Sequence, residues 1–159
     1  MIFKLSDSIN QQIILPNNTV ELYIKREDKI HPFVSGNKYR KLKYNLLEAK
    51  NNGFDTLLTF GGAFSNHIAA VASAGNAFGF KTIGIVRGQE LGSKISENST
   101  LSFAKEKGMQ FKFVSRELYR NKTSESFLID LKEEFGDFYL ISEGGTNKLA
   151  VKGCEEILN

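Results

Sequence analysis

Cysteine is nearly absent from this sequence: Cys154 stands alone, so no internal disulfide can form, and a small secreted scaffold held by bridges is excluded. Histidine is almost as scarce. His31 and His67 lie far apart, and neither sits in a spacing that carboxylates or Cys154 complete, so no metal site is expected. Charge of one sign is also lacking, with 21 basic against 18 acidic residues and a net charge of +3. That balance is too mild to make a nucleic-acid or membrane-surface partner the default reading, and a small anionic ligand remains open. No stretch reaches the roughly 18 unbroken apolar residues of a membrane span, because Gly, Ser and Asn interrupt even the apolar region from Thr56 to Phe80. The N-terminal Met1-Ile-Phe-Lys-Leu-Ser-Asp-Ser becomes polar before a signal-peptide core can develop, and a cytoplasmic location is expected. No repeat, low-complexity segment or Pro- or Ser-rich linker divides the chain.

What is present between Asp55 and Gly145 is an alternation of short β-branched or aromatic runs with longer helical stretches, the pattern of βαβ units. Strands are predicted at Thr56–Phe60, Thr82–Val86, Gln110–Val114 and Phe138–Ile141, and helices near Ser65–Phe78, Asn98–Lys107 and Thr123–Phe135. The fold class that follows is α/β: a small doubly wound parallel four-stranded sheet with helices on both faces. A flavodoxin-like order 2-1-3-4 is expected.

The first fifty residues differ in kind. Val20–Lys25 alternates Leu22 and Ile24 with Glu21, Tyr23 and Lys25, like a half-exposed strand. His31-Pro32 and Ser35-Gly36 then break the pattern, and Asn37 to Lys50 carries helical spacing. At about 100° per residue Lys38 shares a face with Leu42, Leu46 and Ala49, so it is aimed inward. Arg40, Lys41, Lys43 and Glu48 lie off that stripe and are expected to be solvated. At the other end, Val151, Cys154 and Leu158 begin an apolar helical stripe with nothing evident to pack against, as though the sequence were cut.

Three segments could carry chemistry. In Ser35–Leu42 (SGNKYRKL) a glycine loop delivers Lys38 to the buried side of a helix's first turn. Desolvation there disfavours the ammonium form and favours a neutral nucleophile. The same lysine could instead snorkel its head to water over Leu42. In Thr59–His67 (TFGGAFSNH) a strand runs through Gly61-Gly62 into a helix capped by Ser65, a junction whose free N–H groups suit a carboxylate or phosphate, or which is only a capped turn. Ala69, Ala70, Ala72, Ser73 and Gly75 let that helix approach the sheet closely. It is not a nucleophile elbow, since the G-x-S-x-G spacing is missing. In Ser142–Asn147 (SEGGTN) a second glycine pair follows the last strand at the end where open α/β sheets bind ligands.

Taken together, Ile24–Lys29 (IKREDK), Ser35–Leu42, Gly61–His67 (GGAFSNH) and Glu143–Asn147 (EGGTN) resemble the ordered motifs of the 1-aminocyclopropane-1-carboxylate deaminase / D-cysteine desulfhydrase family, over nearly the whole chain. The resemblance implies a pyridoxal 5'-phosphate enzyme of fold type II, similar to the tryptophan synthase β subunit, in which a small α/β domain is inserted into a larger one. Residues 1–48 would then be an incomplete N-terminal part of the large α/β domain, 49–145 the small domain, and 146–159 the start of the return. Lys38 resembles the lysine that holds the cofactor and later shuttles protons. Asn66 matches the asparagine on the cofactor's phenolic oxygen, and Ser65, Asn66 and His67 resemble the loop that grips the substrate carboxylate, with Ser65 also placed to help move the substrate proton. His67 is more similar to the desulfhydrase branch than the Gln of enzymes acting on the cyclopropane acid.

The resemblance therefore implies β-elimination from a small amino acid such as D-cysteine to a 2-oxo acid and ammonia, with cyclopropane deamination as the alternative and a homodimer as the full-length state. It also implies that the phosphate-binding loop, the group facing the pyridine nitrogen and an active-site tyrosine lie beyond Asn159. Two other classes stay open: a non-catalytic small-ligand module, which would not need Lys38 near Asn66, and nucleic-acid binding through Lys38, Arg40, Lys41 and Lys43.

Overall fold

The structure, a computed structural model, describes residues 3–16 and 19–158. Its centre is a parallel sheet of β3 (Thr56–Gly61), β4 (Lys81–Arg87), β5 (Gln110–Val114) and β6 (Tyr139–Ile141). The expected strands and helices are all found within two residues of their predicted ends. β3 has no exposed residue, as a strand covered on both faces must. Leu57 faces the apolar cluster formed with α1 (Asn37–Asn51), α2 (Asn66–Phe78) and α3 (Ser99–Glu106). Leu58 and Phe60 face the opposite cluster, with Tyr119 of α4 (Arg116–Arg120) and Phe127 and Leu131 of α5 (Glu125–Phe135). The sheet is thus doubly wound, as the alternating pattern implied. α4 is a short helix that the sequence pattern did not separate from the turn preceding α5.

The strand order is β5-β4-β3-β6, so the expected 2-1-3-4 is wrong: counted within this sheet the order is 3-2-1-4. Two consecutive crossovers, through α2 and then α3, carry the chain outward from β3 to β4 to β5. The longer connection through α4 and α5 returns across the other face to place β6 on the free side of β3. Connections therefore leave β3 and reach β6 on opposite sides, which makes a topological switch point between them.

Helix α2 lies close on the sheet because its inner face is small. Ala70, Ala72, Ala74 and Ser73 are fully buried. A Cβ on Gly75 would meet the Thr82 Cγ2 at 2.2 Å. Ser65 caps α2 as expected, accepting the Ile68 N–H, and Gly79 ends it in the left-handed region.

Before the sheet, β1 (Asn10–Ile13) pairs antiparallel with β2 (Leu22–Lys25). The expected half-buried alternation in β2 is not observed: Leu22, Tyr23 and Ile24 are all exposed, because no described element covers either side of this ribbon. α1 also departs from expectation. Leu42, Leu46 and Ala49 are buried against α2 and β3, while its other side is covered by α6 (Lys148–Glu155). Arg40 is therefore 7% exposed rather than solvated. α6 itself packs through Ala150 and Gly153, and the expected apolar stripe of Val151 and Leu158 faces outward, with Cys154 half-buried. Gly153 is required here, since a Cβ would lie 2.0 Å from the Arg40 carbonyl oxygen.

Candidate functional site

One cavity of about 730 Å³ opens at the C-terminal edge of the sheet. Lys38, Ser65, Asn66 and His67 all line it, together with Glu143 and Gly144 of the loop after β6. The three segments singled out in the sequence therefore meet at the switch point between β3 and β6. Two aromatic rings, Phe33 and Phe103, also line it, with ring centroids 4.5 Å apart.

Lys38 stands at the first turn of α1 and is half-buried. Burial, and then the neighbouring positive charge of Lys41, depresses its basicity below that of an ordinary lysine, with Cys154 opposing slightly. The loop that delivers it is shaped by His31, whose Nδ1 accepts the N–H groups of Phe33 (3.0 Å) and Val34 (2.9 Å). His31 is buried, and burial lowers its pKa, consistent with the neutral ring those bonds require. Gly36 precedes the helix at φ +58° and supplies no capping side chain.

Ser65 is half-buried, and Asn66 is exposed to the cavity. The N–H groups of Asn66 and His67 precede the first intrahelical acceptor of α2 and carry the positive end of its dipole. The His67 side chain is turned inward: it is 2% exposed, and Nε2 lies 2.9 Å from the Thr59 hydroxyl. Thr59 in turn donates to the Ile141 carbonyl (2.9 Å), so it accepts from a protonated His67 Nε2. No bond of normal geometry reaches Nδ1, although the Ser142 backbone is close enough to favour the charged ring slightly. Burial, then Lys38 and Lys41, pushes the His67 pKa down to about 4. The Thr59–His67 pair ties the loop after β3 to the end of β6.

The loop after β6 is held from several sides. Lys41 donates to the Gly144 carbonyl (3.3 Å) and the Thr146 hydroxyl (3.1 Å). Asn147 caps α6 through the Ala150 N–H, and its amide donates to buried Asn45 of α1 at 2.6 Å. Glu143 receives the Tyr119 hydroxyl (2.7 Å) and lies 3.1 Å from Lys122. Burial works against its charge, but those donors prevail and hold its carboxyl below the usual range. The Tyr119 phenol is pushed up by burial and by its bond to Glu143.

No family model matches the chain. Individual proteins do. A bifunctional D-cysteine desulfhydrase/1-aminocyclopropane-1-carboxylate deaminase of Arabidopsis thaliana, described as mitochondrial, is 35% identical over 148 residues, 89% of this chain and 37% of that protein. A putative 1-aminocyclopropane-1-carboxylate deaminase of Thermotoga maritima is 36% identical over 135 residues, 83% of this chain and 42% of that protein. A crystal structure of an ACC deaminase homologue superposes with a TM-score of 0.70 at 28% identity, covering 87% of this chain and 42% of that one. By sequence and by fold, the chain is a relative of the 1-aminocyclopropane-1-carboxylate deaminase / D-cysteine desulfhydrase family. It spans about two fifths of the length of these curated relatives.

In this deaminase and desulfhydrase relative, the residues that sequence reasoning missed are those that hold others in place. Arg40, Lys41 and Lys43 were expected to be solvated. Instead Arg40 bonds Glu27 and Glu156, Lys41 bonds the EGGTN loop, and Lys43 bonds Glu156 at 2.7 Å; only Glu48 is exposed as expected. Thr59, Asn45 and Tyr119 gave no signal either, because their bonds to Ile141, Asn147 and Glu143 join residues remote in sequence. No helix among the described residues is long and apolar enough to cross a membrane.

Proposed function

We propose that the protein is a pyridoxal 5'-phosphate-dependent lyase that converts a small amino acid to a 2-oxo acid and ammonia, with D-cysteine as the substrate and a homodimer as the full-length form. The observation that carries this reading is the convergence of a half-buried amine of depressed basicity, Lys38, with Ser65 and Asn66 at a helix start in one cavity. The residues fit the ring and amino-acid end of the cofactor: Lys38 can hold its carbonyl carbon, and the Asn66 amide can donate to its phenolic oxygen. We assign no phosphate-binding group to this chain. Bound there, the pyridine ring supplies an electron sink.

Everything else falls to the chain's own groups. The Asn66 and His67 N–H groups, at the positive end of α2, bind the substrate carboxylate. That contact fixes the substrate Cα relative to Lys38. The Lys38 amine, whose basicity burial and Lys41 lower, then takes or returns the proton at Cα. Ser65, beside it on the cavity wall, assists that transfer. Phe33 and Phe103 supply an apolar side to the cavity. We assign residues 1–48 and 146–159 to one unit and 49–145 to another; the packing of α1 on α6 favours this division, while the apolar face of α1 joins the cluster beneath the sheet.

Cyclopropane deamination is the second reading, favoured by the two activities in the name of the Arabidopsis relative. His67 does not decide between them by contact, since its ring is engaged with Thr59 and any preference passes through the loop. The test uses the full-length protein: titration with pyridoxal phosphate, borohydride reduction and peptide mass mapping, followed by product assays. Attachment at Lys38, lost in Lys38→Ala, with sulfide and pyruvate formed from D-cysteine at the higher kcat/KM, is the expected result. Attachment elsewhere overturns the role of Lys38, and a higher kcat/KM for the cyclopropane acid overturns the substrate.

A further inference from the structure

Two residues flank Lys38 at equal distance along the chain, Gly36 and Arg40, and a single residue holds both. The backbone carbonyl of Glu27 accepts the Gly36 N–H at 2.9 Å. Its carboxylate takes a two-pronged bond from Arg40, Nε to Oε2 at 2.8 Å and Nη2 to Oε1 at 2.9 Å, and a further one from the Ser8 hydroxyl. Glu27 and Arg40 are 8% and 7% exposed, a depth at which charged side chains are rare unless paired. Burying such a pair is weak evidence for added stability, because desolvation offsets the attraction. What a fork-to-carboxylate pair supplies is a fixed distance and orientation. α1 needs this, since Gly36 at φ +58° gives its first turn no side-chain cap.

We propose that Glu27 is a positioning residue for the Lys38 amine. The proposal rests on Lys38 being the reactive amine of the site. Glu27 bonds the backbone two residues before Lys38 and the side chain two residues after it, so the first turn of α1 cannot rotate or slide without breaking a buried bond. The charged and titratable groups that act on Lys38 are Lys41 on the same helix, His67 from α2 and Cys154 from α6. Glu27 is not among them. Its influence runs through placement: it keeps the amine at the half-buried depth where burial lowers its basicity.

The experiment is competitive acetylation of the full chain, without cofactor, by trace acetic anhydride across a pH series, with peptide mass analysis giving the titration of each lysine. Lys81, whose side chain is 77% exposed, serves as the internal reference. In Glu27→Gln the Lys38 midpoint is expected to rise toward the ordinary lysine value, and below the midpoint its acetylation falls about tenfold for every pH unit by which the midpoint has risen. Glu27→Asp, which keeps the charge but shortens the reach, should move Lys38 in the same direction, and it provides the answer if Glu27→Gln does not fold. A Lys38 profile identical to wild type in either folded variant, even with a lowered Tm, overturns the proposal and leaves Glu27 merely structural. Because no cofactor is present, this outcome is independent of whether pyridoxal phosphate attaches to Lys38.

Discussion

At the scale of single residues, His67 gives the sharpest pH signature. Its pKa is about 4 in the folded chain, pushed down first by burial, against about 6.5 for an unperturbed ring. The unfolded chain therefore binds this proton first as pH falls. The stability linked to a neutral His67 is complete above about pH 6.5 and is lost progressively down to about pH 4, a difference of about 3 kcal/mol. Urea unfolding of wild type and His67→Gln at pH 7 and pH 5 should show a smaller pH dependence in the variant; equal slopes would mean the ring is not buried neutral. The role of His67 was only partly legible. The sequence placed it at the helix start, but its bond to Thr59 joins a strand residue to a helix residue across the turn. Lys38 was legible in direction because one helical stripe sufficed to aim it. Arg40 was not, because its burial depends on α6, more than a hundred residues later, and a helix read alone shows one buried face when it has two.

Among the helices, α1 and α6 approach each other backbone to backbone. The carbonyl of Arg40 occupies the space where a side chain at 153 would begin. Glycine to alanine inside a helix ordinarily stabilises by about 0.5–1 kcal/mol. Gly153→Ala is expected to do the reverse, costing about 1–3 kcal/mol as the helices are forced apart, because the obstacle is backbone and cannot rotate away. Denaturant midpoints decide the sign, and a gain in stability would show that the helices do not approach this closely. The individual strands and helices were legible because their periodicities are local. The order of the strands was not, since it depends on which side of β3 the return through α4 and α5 is laid. β1 escaped notice because Asn10-Gln-Gln-Ile13 has no apolar alternation, and it is paired only by its backbone to β2.

Across the whole molecule, the covering of α1 on two sides alters what sequence alone suggested about its anchoring. The helix carrying Lys38 falls mostly in the segment 1–48, expected to be an incomplete part of the larger domain, yet Leu42, Leu46 and Ala49 belong to the same cluster as Ile68, Val71 and Ile141. Hydrogen exchange on the 159-residue chain should therefore protect α1 along with α2 and β3, while β1 and β2, uncovered on both faces, exchange rapidly. Fast exchange throughout residues 37–51 would contradict this packing.

The switch point also bears on how such a chain can diverge. The residues facing the cavity from the sheet side belong to two short loops, 62–65 and 142–147, and to the first turn of α2, whereas the pairing register of β3 with β4 and β6 is set below them. Drift in those loops can remodel what the cavity accepts while leaving the strands untouched. Drift in the small inner face of α2 cannot, because any gain in volume at Gly75 is driven into Thr82. Selection for a new substrate would thus leave its traces in those loops and that helix turn at one edge of the sheet, and selection for folding would leave them in the strands and helix seams beneath.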